Sequence, residues 1–327
     1  LFLSVVCSIA KIRSLIPFRD IELSDKQAID SFICASGCHG ADYSFANLYI
    51  WRLEYDPKIF IKDGRLLVYM PKYKIYAYPK GDGDVAAHID AMLEDAHERG
   101  QKLIIRGLTD KTLDEFLPIY GERFEISEDR DAADYVYTAE KLRTLAGRKL
   151  AGKRNHIKHF TRDCDWELKR VCGDCLASCT EKLTDSDGKP IGCATLEEAR
   201  KFLDCFYREK DDSDLRAETV AVNEMFRNFD ELGFIGALLY QNGEPVAFTA
   251  GTKLGESAID VHFEKALPGV DGAYPMINRE YINMMCQLLP GLVMVNREED
   301  MGLEGLRKAK LSYYPDILMM KYIAEEK

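Results

Sequence analysis

Twice along this chain a dipeptide that tolerates left-handed backbone sits between two strand-like runs. Asp63-Gly64 lies between 59–62 and 65–70, and Asn242-Gly243 lies between 235–240 and 246–252. Such dipeptides favour two-residue hairpin turns, whose central positions both need positive φ. The patterns around the two hairpins also share an order. The first half reads as a helix over 24–35 with a Ser24/Gln27 capping box, a short aromatic helix over 42–51 and the hairpin. A third strand at 75–78, a helix over 85–99, a strand at 102–106, a helix over 112–120 and a strand at 134–137 complete that lobe. The second half reads as a strand at 166–171, helices within 173–183, 195–210 and 217–230, and the hairpin. It continues with a third strand at 258–264, a helix over 274–289, a strand at 292–296, a helix over 303–311 and a last strand at 317–322. A tandem duplication of one α+β unit is the economical account.

A chain of 327 residues, 46% apolar and 30% charged, can bury a substantial core and suits two lobes of ~150 residues. The expected division is an unassigned segment 1–15, a first domain 16–140, a linker helix 141–162 and a second domain 163–327. A net charge of -11 argues against a protein that coats nucleic acid or an anionic membrane with most of its surface. The ten cysteines, without a secretory pattern ahead of them, fit free thiols in a reducing cytoplasm. The apolar run 1–10 is too short to cross a hydrocarbon layer of ~30 Å, and no membrane span is expected.

The linker is the least ordinary segment. Lys141, Arg143, Arg148, Lys149, Lys153, Arg154, Lys158 and Arg162 occur in 141–162 with no acid among them. Leu142, Leu145, Leu150, Ile157 and Phe160 fall mainly in one helical sector, so an amphipathic basic helix is expected, weakened or bent at Gly147 and Gly152. Its basic face is either a solvated surface or a phosphate track for an RNA acceptor stem, a phospholipid headgroup or a nucleotide cofactor.

Three further patterns bear on chemistry. In 259–264 strict alternation sends Ile259, Val261 and Phe263 one way and Asp260, His262 and Glu264 the other. Facing a cleft, His262 and Glu264 could accept protons from a nucleophile; facing water, they are a solvated strand face. Glu298, Glu299 and Asp300 precede the helix at 303–311, and Arg307, Lys308 and Lys310 lie near its end, an order that compensation of the helix dipole also explains. Cys172, Cys175 and Cys179 are spaced to share one helix face, where cysteine acts as a small hydrophobe, and no metal site is expected there with Cys164, Cys193 or His159. The turn 268–273 could offer an anion the free N–H groups of a helix start.

Tyr43-Ser-Phe-Ala-Asn-Leu48 with Trp51, His262-Phe-Glu264, Gly272-Ala-Tyr-Pro-Met-Ile-Asn278, and above all Asn296-Arg-Glu-Glu-Asp300 through Leu306-Arg-Lys-Ala-Lys-Leu-Ser-Tyr313 resemble the DUF2156 family. That family is related to the C-terminal domain of phosphatidylglycerol lysyltransferase (lysylphosphatidylglycerol synthase), and the similarity covers nearly all of 16–322. The resemblance implies an α+β chain of two tandem GNAT-like (acyl-CoA N-acyltransferase) domains, each a mostly antiparallel mixed sheet flanked by helices. It implies an acyl or aminoacyl transferase that moves an aminoacyl group from charged tRNA to a small-molecule or lipid-headgroup acceptor. Within it, His262 and Glu264 are the catalytic candidates, and Asp260, Asn296, Arg297, Glu299, Asp300 and Tyr313 the substrate-binding ones. Lys153, Arg154, Lys158, Gly269, Gly272, Lys308 and Lys310 are candidates for the donor and its phosphates. The alternatives are an acyl-CoA-dependent N-acyltransferase, although 268–273 lacks the basic-led glycine pattern of acetyl-CoA-binding GNAT enzymes, and a non-catalytic binding module that retains the fold.

Overall fold

The computed structural model describes residues 15–36, 40–42, 44–162, 164–173, 183–208 and 214–327. Tyr43, Cys175, Cys179 and nearly all of the helix expected within 173–183 lie outside the described residues. The first half runs β1 (Arg19–Asp20), α1 (Lys26–Ser36), α2 (Phe45–Ile50), α3 (Arg52–Tyr55), β2 (Lys58–Lys62), β3 (Arg65–Met70), β4 (Ile75–Ala77), β5 (Lys80–Gly81), α4 (Val85–Glu98), β6 (Ile104–Leu108), α5 (Asp110–Tyr120), β7 (Phe124–Glu128) and β8 (Asp134–Thr138). Then come α6 (Ala139–Thr144), α7 (Ala151–Arg162), β9 (Trp166–Cys172), β10 (Gly192–Thr195), α8 (Leu196–Arg208), α9 (Asp214–Arg227), α10 (Phe229–Leu232), β11 (Ile235–Gln241), β12 (Glu244–Leu254), β13 (Ala258–Ala266), α11 (Ala273–Leu288), β14 (Met294–Asn296), α12 (Glu304–Leu311), β15 (Ile317–Met319) and β16 (Tyr322–Glu326).

Both hairpin dipeptides turn as their chemistry requires, with φ of 47° and 78° at Asp63 and Gly64 and 52° and 85° at Asn242 and Gly243. The start of α1 differs from expectation. Its capping box uses Glu22 and Asp25 around a short 3-10 turn, the Asp25 carboxylate taking the Glu22 N–H at 2.8 Å, two residues ahead of Ser24.

The first sheet has the order β1-β2-β3-β4-β6-β16-β7, with β5 beside β3, and the second β10-β9-β11-β12-β13-β14-β8-β15. In each, an antiparallel meander ends in a strand that pairs parallel with the next, β4 with β6 and β13 with β14. Parallel neighbours need a crossover, which α4 and α11 supply. The expectation that 134–137 completes the first lobe is overturned: β8 sits in the second sheet between β14 and β15. The expected last strand at 317–322 also divides. Its start is β15 at the edge of the second sheet, and the chain then crosses to lay β16 between β6 and β7 of the first. The halves thus trade one strand each, so their sequence boundary is not a sheet boundary.

The linker is two helices rather than one. Leu145 is left-handed at φ 49° and Gly147 follows at φ 86°, and the Arg154 guanidinium donates to the carbonyls of Leu145 and, at 2.8 Å, Gly147. The expected amphipathic character holds: Leu142, Leu145, Leu150, Ile157 and Phe160 are all buried, each worth ~1.5–3 kcal/mol of apolar burial. They pack with α11 on one face of the second sheet. Its other face meets a core shared with the first half, where Phe45 and Ile50 of α2 join Phe226, Phe248 and Phe263. No helix among the described residues is long and apolar enough to cross a membrane.

Candidate active site beside the parting of two strands

β13 pairs with β14 only from Ala258 to Asp260, then continues to Ala266 while β14 ends at Asn296. Beside this parting β13 carries a bulge. Val261 stands opposite Gly251 and Phe263 opposite Ala250, leaving His262 as the extra residue. One inserted residue reverses the facing of everything after it. Ile259 and Val261 therefore pack toward α11, whereas Phe263 joins the shared core on the other face. The expected single face of Asp260, His262 and Glu264 does not exist: Asp260 and His262 lie on the shared-core side and Glu264 on the α11 side. Gly251 makes the bulge feasible, since a Cβ there would lie 2.2 Å from the Asp260 carbonyl oxygen.

The loop leaving β14 sends five consecutive side chains to different places. Asn296 donates to Asp134 at 2.8 Å and accepts the Glu298 N–H at 2.7 Å, a local turn that admits φ of 55° at Glu298. Arg297 reaches Glu264, Glu298 reaches His262, and Asp300 accepts from Tyr135, Arg307 and Arg130. Burial pushes the Asp300 carboxyl up, but the bonds from Arg307, Tyr135 and the Gly302 N–H outweigh it and hold it well below its ordinary value. Glu299 is pushed up to about 7 by burial and by Glu298, Asp42 and Asp134, against the pull of Lys321. Lys310 holds this loop by its backbone, donating to the carbonyls of Arg297, at 2.5 Å, and Glu299.

On the α11 face, the Glu264 carboxylate accepts from Arg297 and from Asn278 of α11, each at 2.8 Å. The Arg297 guanidinium lies 4.9 Å from the ring centre of Tyr313, and the Lys153 ammonium of α7 lies 4.1 Å from it on its own approach. Burial, then the nearby Arg297, lowers the Lys153 pKa against the attraction of Glu264. Two polar atoms here are buried without a partner, Arg297 Nη1 and Asn278 Oδ1. A donor and an acceptor left unpaired in one cluster cost stability, ~1–3 kcal/mol each, and offer a ligand both halves of a polar grip.

On the opposite face His262 is held between Thr252, 2.9 Å from Nε2, and Glu298, 3.1 Å from Nδ1. Asp260 is fully buried 3.6 Å from Nε2, and burial first, then Glu298 and Asp134, raises its pKa well above the ordinary value. A cavity of about 270 Å³ between α1, α2 and the β12–β13 turn has Thr252 in its wall.

The structure brings Glu264, Arg297, Tyr313 and Lys153 together, and Asp260 with His262, but not these two sets with each other. Asn296, Asp300, Lys310 and Arg154 are occupied holding loops, while Lys158 and Lys308 are exposed. Gly269 stands in open space, but a Cβ on Gly272 would lie 2.4 Å from the His156 carbonyl oxygen, so α7 packs directly on the start of α11. Of the residues that complete the clusters, Asn278 stands in a quoted motif and Glu298 in an acidic run, yet neither was a site candidate. Thr252 and Tyr137, whose ring Arg297 overlies at 5.8 Å, carry no local signal, because pairing across strands assembles them.

Comparison with known proteins concerns the chain as a whole. A conserved protein of unknown function from Bacteroides thetaiotaomicron is 34% identical and superposes with a TM-score of 0.82, covering 96% of this chain and 100% of that one. A DUF2156 C-terminal domain from Agrobacterium fabrum is 12% identical with a TM-score of 0.61, covering 94% and 93% of the two chains. L-PGS from Bacillus licheniformis is 15% identical with a TM-score of 0.58, covering 93% and 92%. The two more distant likenesses speak for the fold alone, two mixed sheets flanked by helices. No protein of curated function matches the sequence. Residues 36–186 and 187–325 match the family described as phosphatidylglycerol lysyltransferase, C-terminal, and the chain belongs to that family.

Proposed function

We propose that this chain is an acyltransferase of the aminoacyl type, taking an aminoacyl group from charged tRNA and passing it to an amine or hydroxyl acceptor such as a lipid headgroup. The observation that carries this reading is the Glu264, Arg297 and Asn278 cluster with its unpaired donor and acceptor. An aminoacyl ester differs from a plain acyl group by its α-ammonium, which Glu264 and Asn278 Oδ1 suit, while Arg297 Nη1 and Lys153 suit the oxyanion that forms at the carbonyl. In the reaction the acceptor nitrogen or oxygen bonds to that carbonyl carbon and gives up a proton, and the ribose hydroxyl leaves with a proton. We assign Glu264 and Lys153 to orienting the nucleophile and holding charge as that proton moves.

The α7–α11 packing favours this donor over acyl-CoA. The backbone of α7 lies against the N-terminal end of α11, where a CoA pyrophosphate would be expected to bind, and the exposed Arg148, Lys149 and Lys158 offer a track for RNA phosphates instead. Charged tRNA is a cytoplasmic donor, so the reading goes with that compartment.

The test incubates the purified chain with tRNA carrying a labelled amino acid and with phosphatidylglycerol vesicles or a soluble amine. Transfer of label, lost in Glu264→Gln, is the expected result. Absence of tRNA binding together with thermal stabilisation by CoA would overturn the reading in favour of the acyl-CoA alternative.

A further inference from the structure

We propose that Asp260, His262 and Glu298 form a binding site for one divalent transition-metal cation, on the face of the second sheet opposite the Glu264 cluster. One ligand atom from each residue lies within 4.8 Å of the other two, and the chemistry is an imidazole with two carboxylates, a set suited to Zn²⁺ or Mn²⁺. The Thr252 hydroxyl lies 2.9 Å from the imidazole Nε2, on the Asp260 side of the ring.

The independent observation is Asp260 itself. It is fully buried on β13, and neither carboxylate oxygen has a hydrogen-bond partner. A carboxylate in that setting is costly unless something positive meets it. The imidazole does not do so: its Nε2 lies 2.9 Å from the threonine hydroxyl and 3.6 Å from the aspartate, and its Nδ1 is directed to Glu298. The neighbouring cluster of Asp42, Asp134 and Glu299 shows how this fold treats the same problem when a cation is built in. There the Lys321 ammonium sits between the carboxylates, 2.5 Å from Asp42 and 2.7 Å from Asp134. The Asp260 cluster has no lysine or arginine paired with it among the described residues, so an ion from solution would take that place.

Thr252 also lines the cavity of about 270 Å³ that Lys26 and Asp30 of α1 line with it, so the cluster adjoins that cavity through Thr252. Three ligands from a bulge, a strand and a loop would then be joined through one ion, and Asn47 of α2 is tied in through its 3.4 Å contact to Glu298. A metal–ligand distance of ~2.1 Å puts ligands ~3.4 Å apart, so binding requires the imidazole to give up its contact with Thr252 or Glu298 and turn one nitrogen to the ion.

The experiment uses the full chain stripped with chelator and titrated calorimetrically with Mn²⁺, which prefers oxygen and nitrogen to the thiols of Cys172 and Cys193, 3.8 Å apart, and in parallel with Zn²⁺. We expect one equivalent of Mn²⁺, a rise in Tm on binding, and at least a tenfold loss of affinity in Asp260→Asn. Glu298→Gln, at a partly exposed loop position, gives the same reading should the buried substitution fail to fold. A protein that binds no Mn²⁺, or binds it equally well after Asp260→Asn and Glu298→Gln, overturns the proposal and leaves the contacts of His262 with Thr252 and Glu298 as the account of the cluster. Binding is read without any transferase assay, so the outcome is independent of the proposed activity.

Discussion

Arg297 donates to Glu264 across 2.8 Å at the point where β13 leaves β14, and both side chains are almost wholly out of water. The pair bridges a gap that backbone hydrogen bonds no longer close. Replacing Glu264 with Ala leaves the guanidinium buried without its partner, and such losses run to about 3–5 kcal/mol. Urea denaturation at pH 7 should register that fall for Glu264→Ala and a smaller one for Glu264→Gln, which keeps an acceptor. Combining Glu264→Ala with Arg297→Met should recover part of the stability and none of the transfer activity.

Gly272 is where α7 meets α11. It has φ of 81°, and an added Cβ would press on the His156 carbonyl oxygen, so Gly272→Ala is strained by conformation and by contact. We expect it to cost about 2 kcal/mol or more, lowering Tm by several degrees. Gly269→Ala, at φ of 83° in open space, should cost only about 1 kcal/mol. Equal effects would mean that the close approach of the helices contributes nothing.

Glu299 gives the pH dependence a sign. Its pKa in the folded chain is about 7 against an ordinary value of 4.5, so the folded state holds its proton more tightly than the unfolded one. The resulting stabilisation is complete below about pH 4.5 and is lost as pH rises through about 7. Thermal melts between pH 5 and 8 should therefore fall less steeply in Glu299→Gln than in the parent, with the variant ahead by about 3 °C at pH 8. A steeper decline in the variant would contradict this.

The exposed basic face of α7 predicts a salt-dependent affinity for tRNA. Neutralising Arg148 and Lys158 together should weaken binding at every salt concentration and lower the slope of log K against log salt by about 0.7–0.9 for each phosphate contact removed. Arg154→Ala should act differently. Its guanidinium holds the Leu145 and Gly147 carbonyls at the α6–α7 break, so the expected loss is in Tm.

Local chemistry made much of this molecule legible. The turns at Asp63-Gly64 and Asn242-Gly243 need nothing beyond their own φ preferences, and the burial of Leu142, Leu145, Leu150, Ile157 and Phe160 follows from helical spacing alone. What escaped was set by distant partners. The reversal after His262 depends on Gly251 of the neighbouring strand, although a glycine inside a strand pattern is itself a bulge signal. The cluster in which Arg297 meets both Glu264 and the Tyr313 ring, with Lys153 over that same ring, joins residues from several elements, so spacing could nominate each of them but not their meeting. Lys310 and Asn296 read as ligand-binding types because loops and ligands ask for the same hydrogen bonds.

The trade of strands between the halves reaches back to synthesis. The slot between Ile104–Leu108 and Phe124–Glu128 can be filled only by Tyr322–Glu326, so a ribosome that has made the whole first half still carries an unfinished sheet with two open edges. Completion waits for Tyr322–Glu326 to be made, and a chain lacking those five residues would leave the part of the protein translated first without its middle strand.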